Sequence, residues 1–187
     1  PPMHPKPCSP APRPRLLIVG CGDVGMRILP FVRGAWSVRA LTSSPERATA
    51  LRVAGALPLL GNLDQPATLA RLGGLADAVL HLAPPQSSGN EDLRTRALVR
   101  ALARRGTVRR FVYVSTTGVY GDAGGARFDE TRPVAPFSDR ARRRVDAERA
   151  LRAWARAAGV RLSILRAPGI YAGDREGGHP RERLQRG

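Results

Sequence analysis

Lysine is almost absent from this 187-residue chain: of 31 basic residues Lys6 is the only lysine, which leaves 30 arginines. Acidic residues number 15, about half as many, and the formal charge is +16. Cysteine is scarce too. Cys8 and Cys21 are too few for a disulfide scaffold and cannot by themselves build a structural zinc site, so no metal is expected. No apolar run approaches the roughly 20 residues of a membrane-spanning helix, which excludes that class and a membrane partner. The N-terminus lacks the apolar stretch of a secretory signal, and the cytoplasm is the expected compartment.

What is present is a 42% share of hydrophobic residues, enough for a buried core at a length that suits one domain. Residues 1–14 carry so much proline that neither helix nor sheet can hydrogen-bond through them, and they read as a disordered tail. The excess of arginine raises nucleic acid as a partner. The arginines, however, are spread over every expected helix and interleaved with acids in DREGG, DAERA and GNEDLRTR. With so much Ala, Gly and Pro, this composition fits a high-GC coding bias. A small-molecule substrate is therefore expected rather than nucleic acid, with basic faces that attract phosphorylated ligands.

After the tail, apolar strands alternate with helices. Strands are expected at Arg15–Val19, Ser37–Thr42 and 56–60, then in DAVLHLA ending near Ala83, in RRFVYVS ending at Ser115, and in VRLSILR. Helices are expected from the glycine loop to about Val32, from Pro45 to Gly55, from Pro66 to about Leu72, and from about Glu91 to Arg105. The longest runs from Ser138 to Ala158, with Ala141, Val145, Glu148, Leu151, Ala155 and Ala158 on one face. The fourth, fifth and sixth strands are nearly continuous apolar runs, as fully buried parallel strands are. The fold class is α/β, a Rossmann-type doubly wound parallel sheet with expected strand order 3-2-1-4-5-6.

The loop Gly20-Cys21-Gly22-Asp23-Val24-Gly25 leaves the first strand and opens the first helix, the setting in which GxGxxG cradles a dinucleotide. Gly20 allows the turn, Gly22 a close backbone approach to pyrophosphate, and Gly25 close helix–strand packing. Cys21 is either a reactive thiol at a helix N-terminus or, as favoured here, a small residue packed on the sheet edge. Asp23 serves the loop by hydrogen bonding and cannot ligate a phosphate. NAD-binding folds usually place a carboxylate at the end of the second strand. Here that strand ends Thr42-Ser43-Ser44, with Arg39 and Arg47 nearby and no acid before Glu46. This favours NADP, with NAD as the alternative. Asn62 is placed for an adenine edge, or is a turn residue.

GCGDVG, HLAPP, STTGVYG (115–121) and LRAPGIY (165–171), in this order over residues 15–174, resemble the extended short-chain dehydrogenase/reductase superfamily, the nucleotide-sugar epimerase/dehydratase group. The resemblance implies an NAD(P)-binding oxidoreductase acting on a secondary alcohol or carbonyl, a sugar nucleotide among the candidates. It places Thr116 at the catalytic Ser/Thr position, with Ser115 beside it. It sets Leu63, Leu82 and Ala83 along the cofactor, and Pro168, Gly169 and Ile170, in the loop with Arg166 and Tyr171, against the nicotinamide. Asp129 and Glu130 match a substrate-loop pair.

The family's Tyr-x-x-x-Lys is missing. Anchored on Glu148, the tyrosine and lysine positions hold Arg140 and Arg144. Arginine is effectively always charged and cannot be a general acid or base. Arg144 can hold ribose hydroxyls, and the two arginines, one turn apart, form either an anion-binding surface or a solvated basic face. Tyr120 is the surrogate acid, with water as the other proton source. His81 and Tyr113 read as core residues, and His179 lies outside the crevice. A non-catalytic dinucleotide sensor is the alternative function. Residues 175–187 read as the start of a C-terminal segment cut before the family's substrate domain. The uncovered end of the sheet then admits a homo-oligomer.

Overall fold

The computed structural model describes residues 11–174. Residues 1–10 of the expected tail, and the segment 175–187 with His179, lie outside the described residues. Six strands form one sheet: β1 Arg15–Val19, β2 Ser37–Thr42, β3 Leu57–Leu60, β4 Ala78–His81, β5 Arg110–Thr116 and β6 Arg161–Ala167. Every pairing is parallel and the order is β3-β2-β1-β4-β5-β6, as expected from the alternation. The helices are α1 Asp23–Val32, α2 Ala48–Val53, α3 Leu93–Ala103 and α4 Asp139–Ala158. Tight 3₁₀ turns occupy Pro45–Arg47, Pro66–Leu72 and Thr117–Tyr120. Among the described residues no helix is long and apolar enough to cross a membrane.

Strand alternation splits the core into two layers. Leu17, Val19, Val79, Phe111 and Tyr113 point to one face and pack beneath α3 and α4 with Leu98, Leu102, Ala147 and Leu151. Leu16, Ile18, Val38 and Ala40 point to the other and meet Leu29 of α1 and Leu51 of α2. Helix ends follow local chemistry. Ser138 caps α4 by accepting from the Ala141 amide, and Gly159, at φ +64°, ends it in the left-handed conformation that lacks a Cβ penalty.

Four expectations need correction. β4 stops at His81 rather than near Ala83: the Leu82 amide makes the last rung to the Val19 carbonyl, and the Ala83 amide doubles onto the same oxygen instead of extending the ladder. The helix expected from Glu91 begins at Leu93, since the Asp92 carboxylate accepts from the Thr95 amide and caps it. Ala158 is exposed, outside the buried face of α4. β6 is not fully buried: it is the sheet's edge, and its residues alternate between exposed and half-buried, with Leu165 53% exposed.

A polar chain runs through the α3 side of the core. The Thr95 hydroxyl donates to Asp92 Oδ2 at 2.8 Å, so its lone pair accepts from His81 Nε2 at 2.9 Å, which sets the tautomer. His81 is 1% exposed and lies 5.2 Å from the Tyr113 ring. Burial, reinforced by the charge of Arg144, drives its pKa down to about 3, while burial raises that of Asp92.

His81 is thus neutral in the folded state well below the pH at which an unfolded histidine protonates, about 6.5. Between these values the unfolded chain binds more protons, so stability falls as pH falls, by up to about 1.4 kcal/mol per pH unit. His81→Gln is expected to remove this component. Urea unfolding from neutral pH down to about pH 5 checks it, and equal slopes in the two proteins would contradict a neutral His81.

Candidate functional site

The glycine loop sits where β1 meets the end of β4. Gly20 has φ +82°, and a Cβ there would lie 2.5 Å from the Ala83 amide nitrogen, so only glycine fits. At Gly25 a Cβ would come within 2.9 Å of Cys21 Sγ, which fixes the close packing of α1 on the loop. At Gly22 a Cβ would meet nothing within 4 Å: the backbone there borders open space, at the start of a helix that no side chain caps. A helix N-terminus in that position is a ready anion site. Cys21 is 2% exposed, and burial raises its pKa, so it is the packed residue and not an activated thiolate. Asp23 accepts from Arg27 at 2.9 Å, and Arg27 also reaches Asp174 at 3.0 Å, tying the segment after β6 to α1.

Two hollows flank this loop and share Gly20 and Gly22. The larger, about 350 Å³, lies over the ends of β1, β2 and β3. It brings together the expected Cys21, Thr42, Ser43, Arg47, Asn62, Leu63 and Ala83. Arg47 crosses from the turn after β2 and donates to the Cys21 carbonyl at 2.7 Å, pinning the loop from outside. Thr42 Oγ1 accepts from the Ser44 amide, and Asn62 Oδ1 from the Asp64 amide at 2.9 Å, so Asn62 shapes a turn while lining the hollow. The smaller hollow, about 190 Å³, brings Asp23, Val24, Leu82 and Ile170 against Pro84 and Val114. Pro168 and Gly169 are exposed beside it.

Val114 and Thr116 share a face of β5, one pleat apart, and Val114 lines the smaller hollow, whereas Thr116 lines neither hollow. Thr116 Oγ1 accepts from the Gly118 amide at 3.2 Å, capping the turn while its own proton remains to be donated. Ser115 points the other way. Its hydroxyl is 2.7 Å from Glu148 Oε1 on α4 and is spent there rather than on a cofactor. Glu148, 1% exposed, also takes a two-point contact from Arg166, at 3.1 and 2.7 Å, and one from Arg152. Burial works to raise the Glu148 pKa, but the Arg166 and Ser115 hydrogen bonds and the charges of Arg166 and Arg152 hold it below the ordinary range.

The two arginines at the dyad positions part company. Arg140 is exposed in the first turn of α4. Arg144 is 7% exposed and donates to the Tyr113 hydroxyl at 2.9 Å and the Val114 carbonyl at 3.0 Å. It is therefore not part of a solvated basic face. Nor is Tyr120 brought to the hollows beside the glycine loop. Its hydroxyl accepts from Arg166 at 2.7 Å, and its ring packs on Phe128 at 4.8 Å. It borders a broad trough of about 840 Å³ between α4 and β6, together with Asp129 and Glu130. That trough is larger than either hollow but touches no residue of the glycine loop and follows an uncovered edge strand.

The sequence reading missed Asp64 and Arg94, which line the larger hollow and pair with each other, and the closure of Glu148 on Arg166. Partners 30 and 18 residues apart share no periodic signal. Among the described residues no group of metal-ligating side chains clusters. The residues present do fit a dinucleotide, with open space at Gly22 for its phosphates and a hollow on either side.

Comparison with known proteins agrees. A family model described as NAD(P)H-binding matches residues 20–185. A functionally unknown conserved protein from Silicibacter pomeroyi superposes with a TM-score of 0.68 at 31% identity, over 84% of this chain and 54% of that one. A short-chain dehydrogenase/reductase superfamily protein from Agrobacterium tumefaciens, solved with bound NAD, gives 0.68 at 25% identity, over 81% and 48%. The dTDP-glucose 4,6-dehydratase of Mycolicibacterium smegmatis is 32% identical over 146 residues, 71% of this chain and 44% of its own length. The chain thus spans about half the length of these relatives. It belongs to the NAD(P)H-binding family, with the fold of the extended, epimerase/dehydratase-like short-chain dehydrogenase/reductases.

Proposed function

We propose that the chain is the dinucleotide-binding part of an oxidoreductase that takes NADP in preference to NAD and acts on a secondary alcohol or carbonyl of a sugar nucleotide. The observation that carries this reading is the ribose end of the larger hollow. Arg47 and the Ser43 hydroxyl stand there, beside a Thr42 whose hydroxyl is turned onto the Ser44 backbone, and the one lining carboxylate, Asp64, is neutralised by Arg94. A 2′-phosphate gains a cation and a small donor at that place, whereas a 2′-hydroxyl lacks the acceptor that NAD-specific folds provide. The names of relatives such as the dTDP-glucose 4,6-dehydratases support the substrate class.

A bound nicotinamide supplies the hydride chemistry. Gly20 and Gly22 admit the pyrophosphate to the backbone, Asn62 borders the adenine, and Val24, Leu82 and Ile170 wall the nicotinamide side. Thr116 polarises the substrate oxygen through a hydrogen bond from its hydroxyl, which keeps its proton, while the Gly118 amide holds its oxygen in place. Arg144 supplies fixed positive charge beneath the site without exchanging a proton. Water carries the proton in preference to Tyr120, whose hydroxyl is held on the far side of β5 by Arg166. The absence of a dyad tyrosine favours one second reading, a dinucleotide sensor without turnover.

Calorimetric titration of the full chain with NADPH and with NADH tests the proposal. NADPH is expected to bind more tightly, and Arg47→Ala, which also releases the brace on the glycine loop, to weaken NADPH by about 10- to 100-fold more than it weakens NADH, the worth of one charge-assisted contact. Tighter NADH binding returns the site to NAD, and no binding by a folded chain removes the assignment. Gly22→Ala separates folding from binding. Its new Cβ meets no protein atom, so stability is expected to change by less than about 1 kcal/mol, while the phosphate approach and dinucleotide affinity are lost.

Turnover, screened on sugar nucleotides and simple secondary alcohols, is expected to fall about 100-fold or more in Thr116→Val, with dinucleotide affinity within about two-fold of wild type. Unchanged turnover in that variant removes Thr116 from the mechanism. Binding without turnover on any substrate leaves the sensor.

A further inference from the structure

The larger hollow has an outer rim that the phosphate loop does not explain. Asp64, in the turn after β3, and Arg94, in the first turn of α3, meet across it in a two-point contact: Nε to Oδ1 at 2.7 Å and Nη2 to Oδ2 at 2.6 Å. Arg94 Nη1 also donates to the Pro84 carbonyl at 3.2 Å, just past β4. All three residues line the hollow.

An exposed ion pair usually contributes little to stability, and these side chains are 27% and 46% exposed. A planar guanidinium fork on a carboxylate adds geometric definition instead. Here that definition is passed on. The Asp64 amide donates to Asn62 Oδ1, and the Asn62 amide donates to Thr68 Oγ1 at 2.8 Å. Because a backbone N–H requires an acceptor, the Asn62 oxygen faces Asp64 and its NH₂ remains the group it offers a ligand. Arg94 thus fixes Asp64, Asp64 fixes the turn, and the turn fixes the donor that borders the base.

We propose that Arg94 and Asp64 are a positioning pair for the adenosine half of the dinucleotide, a preformed wall that sets affinity and residence time without touching the reacting atoms. The inference rests on the reading of this hollow as a dinucleotide site. A wall already joined before binding spares the ligand the ordering of two loops. Its loss is therefore felt by any ligand carrying an adenosine diphosphate, with or without nicotinamide.

The test measures NADPH and ADP affinities of the full chain, with thermal midpoints alongside. Asp64→Asn and Arg94→Met are each expected to weaken NADPH and ADP by about the same factor, on the order of 10-fold, mainly through faster dissociation. The reversed pair, Asp64→Arg with Arg94→Asp, is expected to recover most of that affinity; aspartate is also favourable in the first turn of a helix. Arg94→Lys, which keeps the charge but not the fork, falls between. Single variants that bind like wild type overturn the pair's role while leaving the site intact, as does a loss that the reversed pair does not recover or that follows a fallen midpoint. A wild-type chain that binds neither ligand overturns the site and the pair together.

Discussion

The crevice depends on a contact between two backbones. As β4 ends, the Leu82 and Ala83 amides both donate to the Val19 carbonyl, at 2.8 and 3.1 Å. This draws Ala83 against Gly20 so closely that no Cβ fits between them. The strand order makes that place special. β2 lies on one side of β1 and β4 on the other, and their connections cover opposite faces of the sheet. The chain therefore diverges above β1 and leaves a gap at the carboxyl ends of the strands. The two hollows beside the glycine loop are the two sides of that gap. The Arg47 contact to Cys21, the Arg27 contacts and the Arg94–Asp64 rim all brace loops that the divergence leaves unsupported.

Arg144 shows how the fold accommodates a buried cation. A buried charge without partners costs several kcal/mol. This one is met by a phenol oxygen, a backbone carbonyl and the face of the Tyr113 ring, 5.5 Å away. The buried Asp92 lies close enough for Arg144 to lower its pKa in part, while His81 is kept neutral. A protonated His81 beside Arg144 would place two cations in one apolar layer. The neutrality of the histidine and the burial of the arginine are thus one electrostatic arrangement, with Thr95 joining His81 to Asp92.

Much of the fold was legible because it rests on local, periodic signals. Alternating apolar runs set six strands, and the strand–GxGxxG–helix context set the phosphate loop. Ser138 and Gly159 set the ends of α4. The larger hollow beside the glycine loop was legible for the same reason, since Thr42 ends β2 and Ser43, Arg47 and Asn62 come after strand ends. Other features turn on tertiary partners that no local pattern encodes. Ser115 reads as a crevice hydroxyl until Glu148 is seen on its own side of the sheet. Tyr120 reads as a proton donor until Arg166 claims its oxygen. β6 reads as buried because apolar composition does not report whether a neighbouring strand exists.

The proposed binding and the proposed chemistry rest on different parts of this chain. The dinucleotide hollow is built by β1, β2, β3 and the end of β4, held by glycine sterics and three arginine contacts from outside. The proton-handling side is built by β5, the turn after it, α4 and β6. There the Glu148–Arg166 pair and the Arg144–Tyr113 contact commit most of the polar side chains to one another. Thr116 stands on the opposite face of β5 from both networks. Loss of chemistry at Thr116 would leave the glycine loop and its arginine braces in place. On the proposed reading, affinity for the dinucleotide and turnover of a substrate are thus physically separable.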